Sequence, residues 1–190
     1  MSGRSDDLDW LAGELSSIRR ELLPPGESPG LYLALDLGGG SGRAALYDAV
    51  GREVAVAHCP IATHRPGPDR VEHDAGALLE ALRTAAQDVC DSELAGGRPI
   101  VAAGLATQRS TIVCFDRESG RPLGPALSWQ DRRAAAWLEQ ALGHRAAWIR
   151  RATGLVLSPH YGASKLRWCL DNLPEVAAAT GGGMLDLATD

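Results

Sequence analysis

The stretch LYLALDLGGGSGRAALYD, Leu31 to Asp48, decides how the rest of the chain is read. Leu31–Leu37 is apolar except for Asp36, which predicts a buried strand. Three consecutive glycines follow, then Ser41, Gly42 and Arg43. A turn needs one or two glycines. Three, bracketed by Asp36 and Arg43, describe backbone that something must approach closely. The glycines join strand to strand, where a P-loop or a dinucleotide fingerprint would open a helix. Gly38-Gly39-Gly40-Ser41-Gly42 also lacks the GKS/T ending and does not fit G-x-G-x-x-G. Both common nucleotide motifs are set aside.

A hairpin with no side chains at its tip can point successive N–H groups at one place, forming an anion nest. Asp36, at the end of the strand, is suited to hold Mg²⁺ directly or through water, because hard cations prefer oxygen ligands. Arg43 adds a forked donor for phosphate oxygens. A flexible turn with a surface ion pair is the alternative that these residues alone leave open.

Working outward, Leu11, Leu15, Ile18 and Leu22 recur at helical spacing and predict one amphipathic helix, which Pro24-Pro25-Gly26 ends. Residues 1–30 thus form a helical appendage with its linker, and residues 31–190 a single α/β domain. After the first strand, two more are expected around a tight turn at Val50-Gly51-Arg52, then a loop over HRPGPDR. Asp74 caps a helix over Ala75–Val89, and RPIVAAGLATQ is a strand. A hairpin turning at Glu118-Ser119-Gly120 comes next, then two or three short helices from Arg132 to about Asn172, and a final strand start at MLDLATD.

Among 190 residues the formal net charge is −5, and no basic stripe exists to track a nucleic-acid backbone. The four cysteines are far apart, without CxxC spacing, and are read as reduced core residues. No signal peptide and no membrane-length apolar run is present, which points to a cytoplasmic protein with no membrane partner.

The second half narrows the possibilities. GLATQRSTIVCFDRESGRPLGPALSWQDRRAA, from Gly104, and TGLVLSPHYGASKLRWCLDN, from Thr153, resemble consecutive segments of the FGGY family of carbohydrate kinases, its glycerol kinase branch most of all. There the same stretches read approximately G-I-x-N-Q-R-E-T-x-x-x-W-D, W-x-D-R-R and T-G-L-x-x-x-P-Y-F-S-x-x-K. Arg70–Asp74 also resembles a W-V-E-H-D segment. The likeness runs collinearly from about Leu31 to the last residue.

The resemblance implies an actin-like ATPase fold (ribonuclease-H-like) whose two domains close on ATP. It also implies transfer of the γ-phosphoryl group to a sugar or polyol hydroxyl. On that basis Gly38, Gly39, Gly40, Ser41 and Arg43 bind the cofactor ATP, and Asp36 associates with Mg²⁺. Gln108, Arg109, Trp129, Asp131 and His160 bind the sugar or polyol; Arg109 and Trp129 supply the donors and the aromatic face that such a ligand needs. Glycerol kinases usually carry two threonines at the positions of Gly39 and Gly40, a glutamate at Ser110 and a tyrosine at His160. A missing carboxylate acceptor costs a buried hydroxyl about 1–3 kcal/mol, so a larger polyol or a ketose suits this chain at least as well as glycerol.

In the family the general base and the adenosine domain lie beyond the length of this chain. The expectation is therefore an incomplete first domain, inactive alone, with a sheet edge open to homo-oligomeric contact. The competing classes are an actin-like ATPase that reactivates another enzyme and a non-catalytic partner-binding module.

Overall fold

The computed structural model describes residues 30–182 and 185–188. The predicted helix over Leu11–Leu22 lies outside them. The first strands form a meander, β1 (Leu31–Leu37), β2 (Ser41–Tyr47) and β3 (Glu53–Pro60), paired antiparallel with Leu37 opposite Gly42 and Gly42 opposite Cys59. Gly51, at φ 74°, makes the second turn.

The next segment departs from expectation. The stretch read as a loop is a short hairpin, β4 (His64–Gly67) against β5 (Arg70–His73). Pro66 is tolerated because β4 is an edge strand. Helix α1 (Ala75–Cys90) then starts where expected, with the Asp74 carboxylate accepting from Ala77 N at 2.8 Å. Its buried residues Leu78, Ala81, Ala85 and Val89 recur at helical spacing and cover the sheet. Leu31, Ala44, Leu46 and Ala55 meet Ala85 and Val89 in one core cluster.

Strand β6 (Ile100–Thr107) returns parallel to β1 and completes a sheet of order β3-β2-β1-β6. All eight of its residues are exposed, Val101 by 50% and Leu105 by 60%. The first strand, expected to be fully buried, instead has one open face on which Ala34 and Asp36 are exposed.

The expected hairpin after β6 forms. Beyond strand β7 (Val113–Asp116) the chain turns back, with Phe115 bridged to Pro122 and Ile112 to Leu127, and β8 (Ala126–Leu127) pairs on its other side with β5. Helices α2 (Ala135–Leu142), α3 (Ala146–Thr153) and α4 (Gly162–Asn172) follow. A further helix, α5 (Pro174–Gly182), precedes β9 (Leu185–Ala188), which pairs antiparallel with β7. Ile112, Cys114, Leu127, Cys169 and Val176 form the second core under α4 and α5. Cys114 and Cys169 are core residues as expected, whereas Cys90 is exposed at the end of α1. Among the described residues no helix is long and apolar enough to cross a membrane.

Candidate functional site

The glycine turn is held from behind by its carbonyls. Gly38 O accepts from Gln108 Nε2 at 3.0 Å, Gly39 O from Thr63 Oγ1 at 3.3 Å, and Gly40 O from Ile61 N at 2.9 Å. None of the described peptide bonds is cis, so each N–H points opposite to the carbonyl of its own peptide unit. The amides of Gly39, Gly40 and Ser41 therefore face away from those three partners, and Gly40 is exposed. No glycine from 38 to 42 has a positive φ; their absent side chains matter for space. A Cβ on Gly40 would meet nothing within 4 Å, and one on Gly39 would lie 3.6 Å from Gln108 Oε1. One on Gly42 would sit 2.7 Å from the backbone N of Leu82. Gly42 thus seats α1 on the sheet, while Gly39 and Gly40 keep the tip bare.

Asp36 and Arg43 are cross-strand partners beside this turn. Asp36 is exposed; Arg43 reaches Glu53 at 3.5 Å, and its buried Nε has no partner. Among the described residues no cluster of three or more metal-ligating side chains exists. A single exposed carboxylate fits a cation that keeps most of its water.

From the turn, hydrogen bonds lead to a second feature. Gln108 Oε1 accepts from Thr111 Oγ1 at 3.1 Å, and Thr111 Oγ1 accepts from Trp129 N at 3.1 Å. Gln108, Arg109, Trp129, His160 and Tyr161 line a cavity of about 870 Å³. Trp129 and His160 meet edge to face at 5.8 Å, and His160 and Tyr161 at 5.2 Å. Trp129 is 41% exposed and lines this cavity. The arrangement offers aromatic faces for C–H edges and convergent polar groups for hydroxyls.

The FGGY family of carbohydrate kinases, N-terminal domain, matches residues 31–185. The chain belongs to this family. A glycerol kinase of Rhodospirillum rubrum is 38% identical over 159 residues, covering 83% of this chain and 32% of that protein. A glycerol kinase of Thermus brockianus is 42% identical over 144 residues, 75% of this chain and 29% of its own length. Plasmodium falciparum glycerol kinase with ADP superposes with a TM-score of 0.76 at 21% identity, over 84% of this chain and 32% of that one. A xylulose kinase from Brucella ovis gives 0.67 at 29% identity, over 78% and 30%. The fold is the amino-terminal portion of the actin-like ATPase architecture of these kinases. The chain spans about a third of the length of the curated relatives it matches.

Within this FGGY domain, one residue expected at the sugar site stands apart. Asp131 is fully buried and does not line the cavity. Its carboxylate accepts from Val71 N at 2.7 Å and from Arg133 Nε and Nη2 at 2.9 and 2.7 Å. Arg133 Nη2 also donates to Glu72 at 2.6 Å, and its guanidinium lies 4.4 Å from the Trp168 ring centroid. Asp131 therefore ties β5 to the segment before α2, and a buried pair of this kind is costly to break.

Two residues outside the sequence expectation adjoin the candidate site. His73, 2% exposed, bonds Ala62 O through Nδ1 at 3.2 Å, and its buried Nε2 has no partner. A Cβ at Gly39 would lie 4.0 Å from that Nε2. Lys165 on α4 is 1% exposed; its Nζ donates to Ser110 O at 2.9 Å and to His160 O. Burial pushes its ammonium down to about 8, against the opposing pull of Asp131. His160 is five residues before it but Ser110 is 55 residues away, and helical or strand periodicity could not have revealed that second contact. Only the S-x-x-K element of the resemblance marked the position.

Proposed function

We propose that this domain is the amino-terminal part of an ATP-dependent kinase that phosphorylates a sugar or polyol hydroxyl. One observation carries the reading: Gln108 bonds the glycine turn through one amide atom and, through Thr111, the backbone of Trp129 through the other. The anion-facing backbone and the aromatic cavity thus share one rigid connection, as a reaction joining phosphate to sugar requires. Phosphoryl transfer depends chiefly on such positioning and on charge stabilisation.

The amides of Gly39, Gly40 and Ser41 would receive phosphate oxygens, with Arg43 beside them. Asp36 would hold Mg²⁺, which when bound neutralises the charge of the phosphate oxygens. Arg109 would donate to sugar hydroxyls while Trp129 and His160 pack against the carbon skeleton. The ADP in the Plasmodium relative supports adenine nucleotide use here. The Brucella xylulose kinase, together with Ser110 and His160 at the cavity, supports a polyol or ketose larger than glycerol.

Calorimetric titration with ATP·Mg²⁺ and with glycerol, erythritol, xylulose and ribulose tests the reading. Sugar binding that is abolished by Trp129→Ala and weakened by Arg109→Ala is the expected result. Nucleotide and sugar heats both absent from a protein carrying the whole kinase length would overturn it.

A further inference from the structure

Lys165 is the only lysine in the chain, where Lys and Arg together number 19. It sits in the first turn of α4, one residue beyond buried Ser164, with its head group sunk beneath the sugar-side cavity. Its two acceptors belong to different segments that both line that cavity, and each segment is one wall of it. Ser110 follows Arg109 on the wall that leaves β6, and it holds a left-handed backbone, φ 65°, which a serine rarely adopts. His160 is on the other wall, edge to face with Trp129.

We propose that Lys165 is the positioning residue of the sugar site, its ammonium joining the carbonyls of Ser110 and His160 and thereby setting the separation of the two walls. The function of that separation rests on the kinase reading; the clamp itself does not. An ammonium is a compact point donor that can serve two carbonyls converging from different directions. A guanidinium is a wide planar fork shaped for carboxylates and phosphates. That difference accounts for a lysine here in a chain whose other basic positions are arginine. A buried charge without acceptors is costly, so these bonds hold only while both walls stay in place. The strained Ser110 has a partner that keeps it there, since its carbonyl direction is fixed by the same donor.

Because the lysine is unique, its chemistry can be read without assignment. In the full chain carrying isotope-labelled lysine, the single side-chain ammonium should show solvent-protected Nζ–H protons and titrate well below an ordinary lysine. Lys165→Met, which retains the stem length but donates nothing, should speed hydrogen exchange in 108–111 and in 158–161 together. The expected gain is roughly 10- to 100-fold, the value of hydrogen bonds to a charged donor. Exchange in β1–β3 should be unchanged. Affinity for a bound sugar should fall by a similar factor, and Lys165→Arg should not restore it. Exchange unchanged in either wall, or faster only within α4, would overturn the proposal. So would an unprotected, normally titrating ammonium in the wild-type chain, which needs no variant to fold. If both walls loosen in Lys165→Met while the wild type binds none of glycerol, erythritol, xylulose or ribulose, the clamp stands and the sugar reading fails.

Discussion

Gly39 and Gly42 are three residues apart in one hairpin, yet they are glycines for different reasons. Gly42 lies under α1, where a methyl group would enter the helix backbone at Leu82 and Ala81. Gly39 is at the tip, where the same methyl would make only an ordinary contact with Gln108. The difference teaches that a run of identical residues can divide between fold and function. One end of GGGSG seats the helix that covers the sheet, and the other keeps side chains away from the amides at the tip.

The largest effect expected is on turnover. The cavity lining contains no carboxylate to orient an attacking hydroxyl. Loss of a general base alone forfeits about 10²–10⁴-fold in rate. The 190-residue chain should therefore show no ADP release with any sugar of the panel, although its turn and cavity are intact. Turnover near 1 s⁻¹, an ordinary enzyme rate, would break the assignment of bare glycines to binding alone.

Lys165 extends the comparison to the other wall, where a side chain does the positioning that backbone does at the turn. Its native ammonium titrates at about 8, against 10.5 for an ordinary lysine. The native state therefore disfavours the charged form, and the unfolded chain binds more protons between those values. Wild-type stability should rise relative to Lys165→Met as pH increases from 8 to 10.5. At about 1.4 kcal/mol per pH unit, the change is on the order of 3 kcal/mol. Urea denaturation at pH 7.5, 9 and 10 measures it; a difference that stays flat with pH would contradict the buried ammonium.

Gly42→Ala should destabilise the domain by about 1–3 kcal/mol, the usual penalty of overpacking. In a protein of this size that lowers the melting temperature by about 2–4 °C per kcal/mol. Gly40→Ala, with open space around it, should leave the melt within about 0.5 kcal/mol of wild type. Equal losses in the two variants would erase the division of labour. Gly39→Val acts on the ligand instead of the fold. In a protein of full kinase length it should weaken ATP binding by about tenfold, or about 1.4 kcal/mol, with little change in melting. Unchanged nucleotide affinity would remove the tip from the phosphate site.

Much of this architecture was legible in the chain itself. The strand at Leu31–Leu37 (though not its open face), the bare turn and the Asp74 cap are local features, and local physics forms them. Strand β4 was not legible, because Pro66 and Gly67 advertise a loop unless the strand is known to lie at an edge. The helix from Pro174 was passed over as well, since its small residues offer no apolar stripe to detect. At the site, Gln108, Arg109, Trp129 and His160 were found through family spacing and do line one cavity. Asp131 shared that spacing but spends its oxygens on Val71 and Arg133. Such a difference is decided by what stands across the fold from a residue. His73 and Lys165 stood inside matched motifs, but the bonds from His73 to Ala62 and from Lys165 to Ser110 were not legible there.

The parallel ladder between β1 and β6 carries a consequence for how the domain acquires its site. Strands β1, β2 and β3 join through short turns, but Leu31 meets Ile100 only after the whole of β4, β5 and α1 has been traversed. Closing so long a loop costs chain entropy before any contact repays it. The meander should therefore assemble early and β6 late. Gln108, one residue past the end of β6, would reach Gly38 in that final step. In refolding experiments, a Trp129 signal appearing after the meander amides are protected would mark the moment at which turn and cavity become one site.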